Sequence, residues 1–494
     1  MTTLFHRTLD GVGELFAEGH GDESVPGRAG AGKVYRDRAR IRLPRPGRTD
    51  LGEPGRSLQR LSALLGYGYG LSNLEVGPSS AWPYHRTVAS ARCLYPTEVY
   101  LYEPSTMDGG GLFHYDPLHH ALVRLRGPEA GPALAALLGR DLADRAALII
   151  TSVFWRAAYR YRTYAYRLCA QEAGLVVGNL LAVAEALGVA AAVCYRFVDA
   201  DAAHLLGLAA GEESPFAVVT LDGSGQVDPL PGPAIHGGVR LPAVVARADG
   251  LGMPRLDEYP ELLATDRDSA QATVGGEPVE IASDDPAGPA GPAAPPAPGR
   301  ADLVASVLAR ESGPPSLLPA LDPLDGGDLR AVLAALDRPY RTDLRSPGRM
   351  PPVHRHVVAI RVDGVTPGVY RWDGGDLSLV EAGPMGARVH AITNSLNLNY
   401  RLAPAVVYLS ADTGRYLHAL GSRAYRISHL ETGALVAWLS VAAAAHGWVA
   451  RISNGYDVAA ARELLGIPDP GVSPLFQVLL ARRRPGARYR VAVI

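Results

Sequence analysis

The chain has 494 residues, 47% of them hydrophobic and 20% charged, with a formal net charge of −2. That length exceeds what one hydrophobic core usually serves, so two domains are expected, and the near-neutral balance excludes an electrostatic case for nucleic acid or an anionic membrane. Cys93, Cys169 and Cys194 are too few and too scattered for a disulfide framework or a zinc knuckle, and the opening "MTTLFHRTLDG" lacks signal-peptide form, so a cytoplasmic location is expected.

Residues 1–45 read as an N-terminal arm. It holds the one lysine of the chain, Lys33, inside "GRAGAGKV", which has the glycine and lysine spacing of a phosphate loop. Such a loop needs Ser or Thr after the lysine, a strand before it and a helix after it. Here Val34 follows, "HGDESVP" precedes and "YRDRAR" comes next, so linker is expected instead.

Residues 46–255 read as a first domain. A turn-rich Pro/Ser loop precedes a strand at "EVYLYE"; a second strand follows at "AALIITSV", a long helix at "EAGLVVGNLLAVAEALGVAAA" and a last strand at "FAVVTL". Before the helix, "FWRAAYRYRTYAYRLCAQEAG" interleaves tyrosines at 159, 161, 164 and 166 with arginines at 156, 160, 162 and 167, too polar for a plain core and too aromatic for a plain solvated face. Residues 256–300 read as linker, ending in the run "GGEPVEIASDDPAGPAGPAAPPAPGR" that cannot pack a core. Residues 301–494 repeat the first order of elements with "HVVAIRV", "AVVYLSA", "ETGALVAWLSVAAAAHGW" and "FQVLLAR". This is an α+β or three-layer α/β unit, used twice. Both long helices are apolar nearly all round, but Asn179, Glu185 and His446 would be costly in lipid, so fully buried central helices are expected rather than membrane spans.

The repeat holds register. Tyr166, Arg167, Glu172, Gly174 and Gly188 pair with Tyr425, Arg426, Glu431, Gly433 and Gly447, each 259 residues on, and Leu205–Gly207 with Leu464–Gly466. Upstream the offset is 256, pairing Ser90 with Ser346 and Pro96 with Pro352. His354 and His356, two apart on a strand, share a face, but no neighbouring Cys, Asp or Glu completes a metal site, so strand histidines are expected.

"RTVASARCLYPTEVYLYEP", "YRYRTYAYRLCAQEAGLVVGNLLAVAEALGV" and, in the second half, "GSRAYRISHLETG" and "LLGIPDPGVSPLFQVLLARR" resemble the nitroreductase superfamily, in its SagB-type branch of azoline dehydrogenases. The resemblance implies a three-layer α/β/α fold, here duplicated into an intrachain pseudo-dimer with its long helices packed together, and FMN as cofactor. It also implies oxidation of thiazoline or oxazoline to thiazole or oxazole in a ribosomally made peptide, beside a cyclodehydratase. It places Ser90 and Ala91 in the loop against the flavin, where the family's glycine pair is replaced by Arg92 and Cys93, and makes Arg86, Arg92 and Arg482 phosphate candidates. Arg160 and Tyr161 fall where relatives carry a catalytic Lys-Tyr pair.

Azoline oxidation removes a proton from one ring carbon and a hydride from the next, so a base is needed opposite the flavin. Tyr161, flanked by Arg160 and Arg162, is expected to serve as that base, with its ionised form favoured by the guanidiniums. The second copy has Ala419 and Leu420 at the equivalent positions, so one working site is expected. A general NAD(P)H nitro- or quinone reductase, a peptide α,β-dehydrogenase and a flavin-free scaffold for a peptide or partner enzyme are the rival readings.

Overall fold

A computed structural model describes residues 32–35, 38–46, 58–76, 83–104, 109–142, 145–222, 256–272, 279–284, 300–314, 317–394, 398–484 and 489–493. The phosphate-loop decoy lies outside these residues except for its last three positions. The chain divides into two compact units. The N-terminal unit comprises the described residues up to Glu280 together with Arg341–Pro347 and the strand near the C-terminus; the C-terminal unit comprises those of Ile281–Tyr340 and of Gly348–Ala487.

The N-terminal unit runs through β1 (Arg40–Arg42), α1 (Leu58–Tyr69), β2 (Leu71–Val76), β3 (Tyr84–Arg86), β4 (Thr97–Glu103), β5 (Gly111–Asp116), β6 (Ala121–Arg126) and α2 (Ala130–Leu138). It continues with β7 (Ala146–Val153), α3 (Trp155–Tyr161), α4 (Ala165–Ala186), β8 (Ala190–Cys194), α5 (Asp199–Leu206), β9 (Glu213–Asp222) and α6 (Pro260–Ser269). The C-terminal unit follows with α7 (Arg300–Ala309), β10 (Leu324–Asp325), α8 (Gly326–Leu333), β12 (Val353–Ala359), β13 (Val362–Asp363), β14 (Gly368–Trp372), β15 (Leu377–Ala382) and α9 (Gly386–Ala391). It closes with β16 (Ala405–Asp412), α10 (Thr413–Leu420), α11 (Ala424–Ala445), β17 (Trp448–Ser453), α12 (Val458–Leu464) and β18 (Val472–Arg482). Two strands from late in the chain, β11 (Arg341–Thr342) and β19 (Tyr489–Ala492), belong to the N-terminal unit.

Strand order shows the duplication directly. The N-terminal sheet is β1-β6-β5-β4-β7-β9-β8-β11 and the C-terminal sheet β15-β14-β12-β16-β18-β17. Taking repeat equivalents, the inner six strands of the first have the order of the second. Both sheets even share a bulge: β7 shifts register against β9 between Ile150 and Thr151, opposite Pro215, and β16 against β18 between Leu409 and Ser410, opposite Pro474. Proline cannot donate to the ladder, so a bulge is where a central strand accepts it.

The long helices α4 and α11 each have 22 residues, and their ends are 259 apart. Their apolar sequence is accounted for by burial: the two helical stretches long and apolar enough to span a membrane, Trp155–Ala186 and Thr413–Ala445, are each 94% buried over the apolar window. In the N-terminal unit α4 lies along β4, β7, β8 and β9. Alternate residues of the strands, Tyr100, Tyr102, Ala147, Ile149 and Val218, instead join Leu134 and Leu137 of α2 and Leu205 and Leu206 of α5 in one core cluster. Period-2 alternation thus places helices on both faces, the layering the resemblance implies.

Two segments expected to lie outside the domains are built into the N-terminal unit. Residues 256–269, read as linker, form a 3-10 turn and α6, which packs on α4 and buries Leu262, Thr265 and Asp266; Ser214 Oγ donates to Asp266 at 2.6 Å. The described part of the N-terminal arm is built into the N-terminal unit, with β1 pairing antiparallel to β6. Lys33 is a buried ion-pair partner there, donating to Glu213 at 2.7 Å and to the Tyr100 hydroxyl at 2.9 Å, and Glu213 holds its pKa above the usual lysine range despite burial. Nothing about "GAGK" encodes a partner 180 residues away.

Candidate active site

The loop between β3 and β4 is built on unusual backbone. Arg92, Cys93 and Tyr95 have φ of 52°, 55° and 47°. Glycine takes this left-handed region freely, whereas L side chains are strained in it. Arg92 and Cys93 thus take the backbone conformation that a glycine pair would take without strain. Local bonds hold the turn: the amides of Cys93 and Leu94 donate to the carbonyls of Ser90 and Ala91 at 3.2 and 3.1 Å, and the Tyr95 amide donates to Ser90 Oγ at 2.9 Å.

Beneath the loop lies a buried polar layer. Arg86 is 1% exposed, its guanidinium between the rings of Tyr69 and Tyr95 at 4.6 and 4.7 Å. Arg156 pairs with Glu98 at 2.6 Å and donates to the Tyr95 carbonyl at 2.9 Å, while His114 Nε2 lies 2.8 Å from Glu98. Burial opposes the charge on Glu98, but Arg156 first, then His114 and Arg86, hold its carboxyl below the usual carboxylate range. Glu172 of α4 meets the loop from the other side. Burial pushes its pKa up to about 8, only partly offset by hydrogen bonds with the Ser90 side chain and the Thr97 amide and by Arg86 and Arg156.

Tyr161 ends α3, where the chain turns through Arg162 at φ 47° and ψ −133° before α4 starts. Arg92 reaches across from the loop and hydrogen-bonds the half-buried Tyr161 phenol. The charge balance differs from the sequence expectation. Burial raises the Tyr161 pKa more than Arg92 and Arg160 lower it, and Arg162, exposed on its turn, is not among the causes. The resting phenol is therefore held protonated.

The expected site residues thus separate. Ser90, Ala91, Arg92, Arg160 and Tyr161 belong to one neighbourhood of the N-terminal unit. Arg86 lies apart from them, buried between the rings of Tyr69 and Tyr95. The Ser90 hydroxyl is committed to Tyr95 and Glu172. Arg482, the last residue of β18 in the C-terminal unit, donates from Nε to the Pro323 carbonyl at 3.1 Å. The guanidinium of Arg92 and the phenol of Tyr161, beside the methyl-sized Ala91 on a glycine-like turn, fit the polar edge of a planar group such as a flavin. Sequence reasoning did not anticipate the Arg92–Tyr161 contact or the Ser90–Glu172 contact. Among the described residues no cluster of His, Cys, Asp and Glu suits a metal, so His354 and His356 remain residues of β12.

Both strained arginines have glycine equivalents in the second copy. Arg92 corresponds to Gly348, with φ 82°, and Arg162 to Gly421, with φ 56° and ψ −138°. The backbone is shared, and the N-terminal unit alone sets arginine on it.

Comparison with known proteins agrees with the fold. Residues 328–480 match the Nitroreductase family profile. A Methanocaldococcus jannaschii protein named as a nitroreductase is 30% identical over 154 residues, covering 30% of this chain and 74% of that protein. The microcin B17-processing protein McbC of Escherichia coli is 28% identical over 143 residues, 27% of this chain, which spans about half of McbC (52%). A crystal structure from Anabaena variabilis, also named as a nitroreductase, superposes with a TM-score of 0.74 at 21% identity, covering 97% of this chain and 99% of the other. With two copies of one sheet and helix arrangement, and a relative matched over most of its length, the chain belongs to the nitroreductase family.

Proposed function

We propose that the N-terminal unit is an FMN-dependent dehydrogenase site that oxidises thiazoline or oxazoline rings in a ribosomally synthesised peptide. The observation that carries this reading is Arg92, on glycine-type backbone and hydrogen-bonded to Tyr161, where the second copy has Gly348. Strain of that kind is kept where a side chain is needed. Similarity to a microcin B17-processing protein supports the substrate class, and makes a cyclodehydratase the expected partner.

Bound against the Ala91–Arg92 turn, FMN would supply the acceptor for the hydride. The chain's own part is the proton. Tyr161 takes it from the ring carbon bearing the peptide carbonyl, and Arg92 and Arg160 stabilise the phenolate that must form first. Because burial keeps the resting phenol protonated, the active fraction grows with pH, and single-turnover oxidation should rise about tenfold per pH unit between roughly 7 and 9. Tyr161→Phe should retain the fold and FMN, read from its visible spectrum, yet bleach the flavin with an azoline peptide ~100- to 10,000-fold more slowly. Bleaching at the wild-type rate, or a plateau well below pH 9, would remove Tyr161 from the reaction. FMN bleaching by NAD(P)H with no response to azoline peptide would favour a general reductase.

A further inference from the structure

The β2–β3 hairpin and the loop after it bring Glu75, His85 and Cys93 into line. His85 Nδ1 is 3.8 Å from Cys93 Sγ, and its Nε2 is 3.4 Å from the Glu75 carboxylate. A thiol, an imidazole and a carboxylate in series form the arrangement in which a base takes the nucleophile's proton and an acid orients the base. Distances slightly longer than engaged hydrogen bonds are usual before a reactant arrives. Cys93 is partly exposed, and Glu75 and His85 are each 26% exposed, so the line is open to solvent. Cys169 and Cys194 are the opposite case, buried and pushed up to about 12 by burial.

We propose that Cys93 is a reactive thiol, with His85 as its proton acceptor and Glu75 orienting His85, that exchanges with a small carboxylate-bearing disulfide. Exposed Arg92, the preceding residue, supplies the cation that meets the carboxylate. In the exchange the thiol proton passes to His85 and the Cys93 sulfur attacks one sulfur of the disulfide. A new S–S bond forms, the old one breaks, and the departing thiolate takes the proton back from His85. Cys93 is oxidised and the departing half is reduced, so no further redox partner is required. Facing Cys93 are His85 and, behind it, Glu75 from the hairpin, and Arg92 precedes it on its own turn, hydrogen-bonded to Tyr161 of α3. An adduct on Cys93 therefore stands next to the Arg92–Tyr161 pair, which makes the thiol a reversible modification site at the mouth of the proposed active site. The inference rests on the hairpin geometry and not on the proposed reaction.

The test is exposure of the full-length protein to glutathione disulfide, read by intact and peptide mass. One adduct per chain is expected, at Cys93, removed by dithiothreitol. At pH 7 His85→Gln should slow its formation about tenfold or more, with the rate regained above about pH 8.5, where a free thiol ionises unaided. Arg92→Gly should slow reaction with glutathione disulfide but not with the uncharged 2-hydroxyethyl disulfide. Circular dichroism of each variant checks the fold, and Glu75→Gln, with a smaller slowing, serves if His85→Gln does not fold. Adducts at Cys169 or Cys194, no adduct at all, or a rate indifferent to both His85→Gln and Glu75→Gln from pH 6 to 9 would overturn the proposal.

Discussion

Arg162 and Gly421 occupy the same backbone bend 259 residues apart, and only the glycine takes it without strain. Arg162→Gly should therefore stabilise the N-terminal unit by about 1 kcal/mol, and Gly421→Ala should destabilise the C-terminal unit by a similar ~1 kcal/mol. The second change is clean, since a Cβ on Gly421 would meet nothing within 4 Å. Urea denaturation midpoints that move in neither case would show that the bend carries no strain. Glu172 gives a pH signature of its own. Its native pKa, about 8, lies above the ordinary value of 4.5, so the native chain keeps a proton that the unfolded chain releases. The associated stability is fully present below about pH 4.5 and is lost as pH rises through about 8, an effect on the order of a few kcal/mol. Glu172→Gln should flatten that slope and leave the variant more stable than the parent at alkaline pH, measured by urea unfolding at several pH values; an unchanged slope would mean that Glu172 is ionised in the fold. The repeat partner Glu431 is handled differently, accepting hydrogen bonds from the hydroxyls of Tyr340 and Tyr416 at 2.5 and 2.6 Å. Residue pairing of this sort was only half legible. Tyr161 and Arg160 stood out from a segment of four tyrosines and four arginines only through the resemblance, whereas the fates of Arg86 and Arg92 depended on Tyr69, Tyr95 and Tyr161, which only the folded chain brings near.

At the scale of elements the sequence was more informative, because periodicity and the repeat register report directly on helices and strands. The ends of α4 and α11 and the proline bulges follow the 259-residue offset, and the shared order of six strands holds across that offset and the upstream one of 256. The offset does not carry the way each long helix is covered. Asn179, a costly residue for an apolar helix, donates from Nδ2 to the carbonyls of Tyr67 and Gly68 at 3.0 and 2.7 Å. These are last-turn carbonyls of α1 with no later amide in the helix to receive, so Asn179 acts as a C-terminal cap supplied by another helix. Position 438, its repeat equivalent, is Trp438, 5.7 Å from the Tyr340 ring in an edge-on contact. Asn179→Ala should cost about 1–3 kcal/mol through the unsatisfied carbonyls, and should loosen Tyr69, whose ring lies on Arg86. Hydrogen exchange at the end of α1 would rise if this is right; protection equal to wild type would show that the cap is dispensable.

Over the whole molecule, the division by sequence into residues 46–255 and 301–494 reflects the duplication but not the path of the chain. β11 pairs in parallel with β8, Arg341 opposite Ala192 and Thr342 opposite Val193, and β19 pairs with β2. Short strands donated from far along the chain leave little trace in composition, and two residues such as "RT" have no periodicity to read. What fixes β11 is the residue after it. Asp343 is buried and its carboxylate accepts the amides of Tyr195 at 2.9 Å and Arg196 at 2.8 Å, at the point where β8 ends. Burial raises its pKa, and the two amides, then Arg196 and Arg140, act against that rise. Removing the carboxylate leaves two amides without their acceptor, and the two-residue strand is too short to hold its edge of the sheet by ladder bonds alone. Asp343→Ala should therefore cost about 2–4 kcal/mol, the sum expected for two buried donors losing a charged acceptor, and should expose Arg341–Pro347 to proteolysis ahead of global unfolding. Asp343→Asn keeps one acceptor oxygen and should lose less. Cleavage of that segment at the wild-type rate in Asp343→Ala would show that β11 is held by something other than this carboxylate.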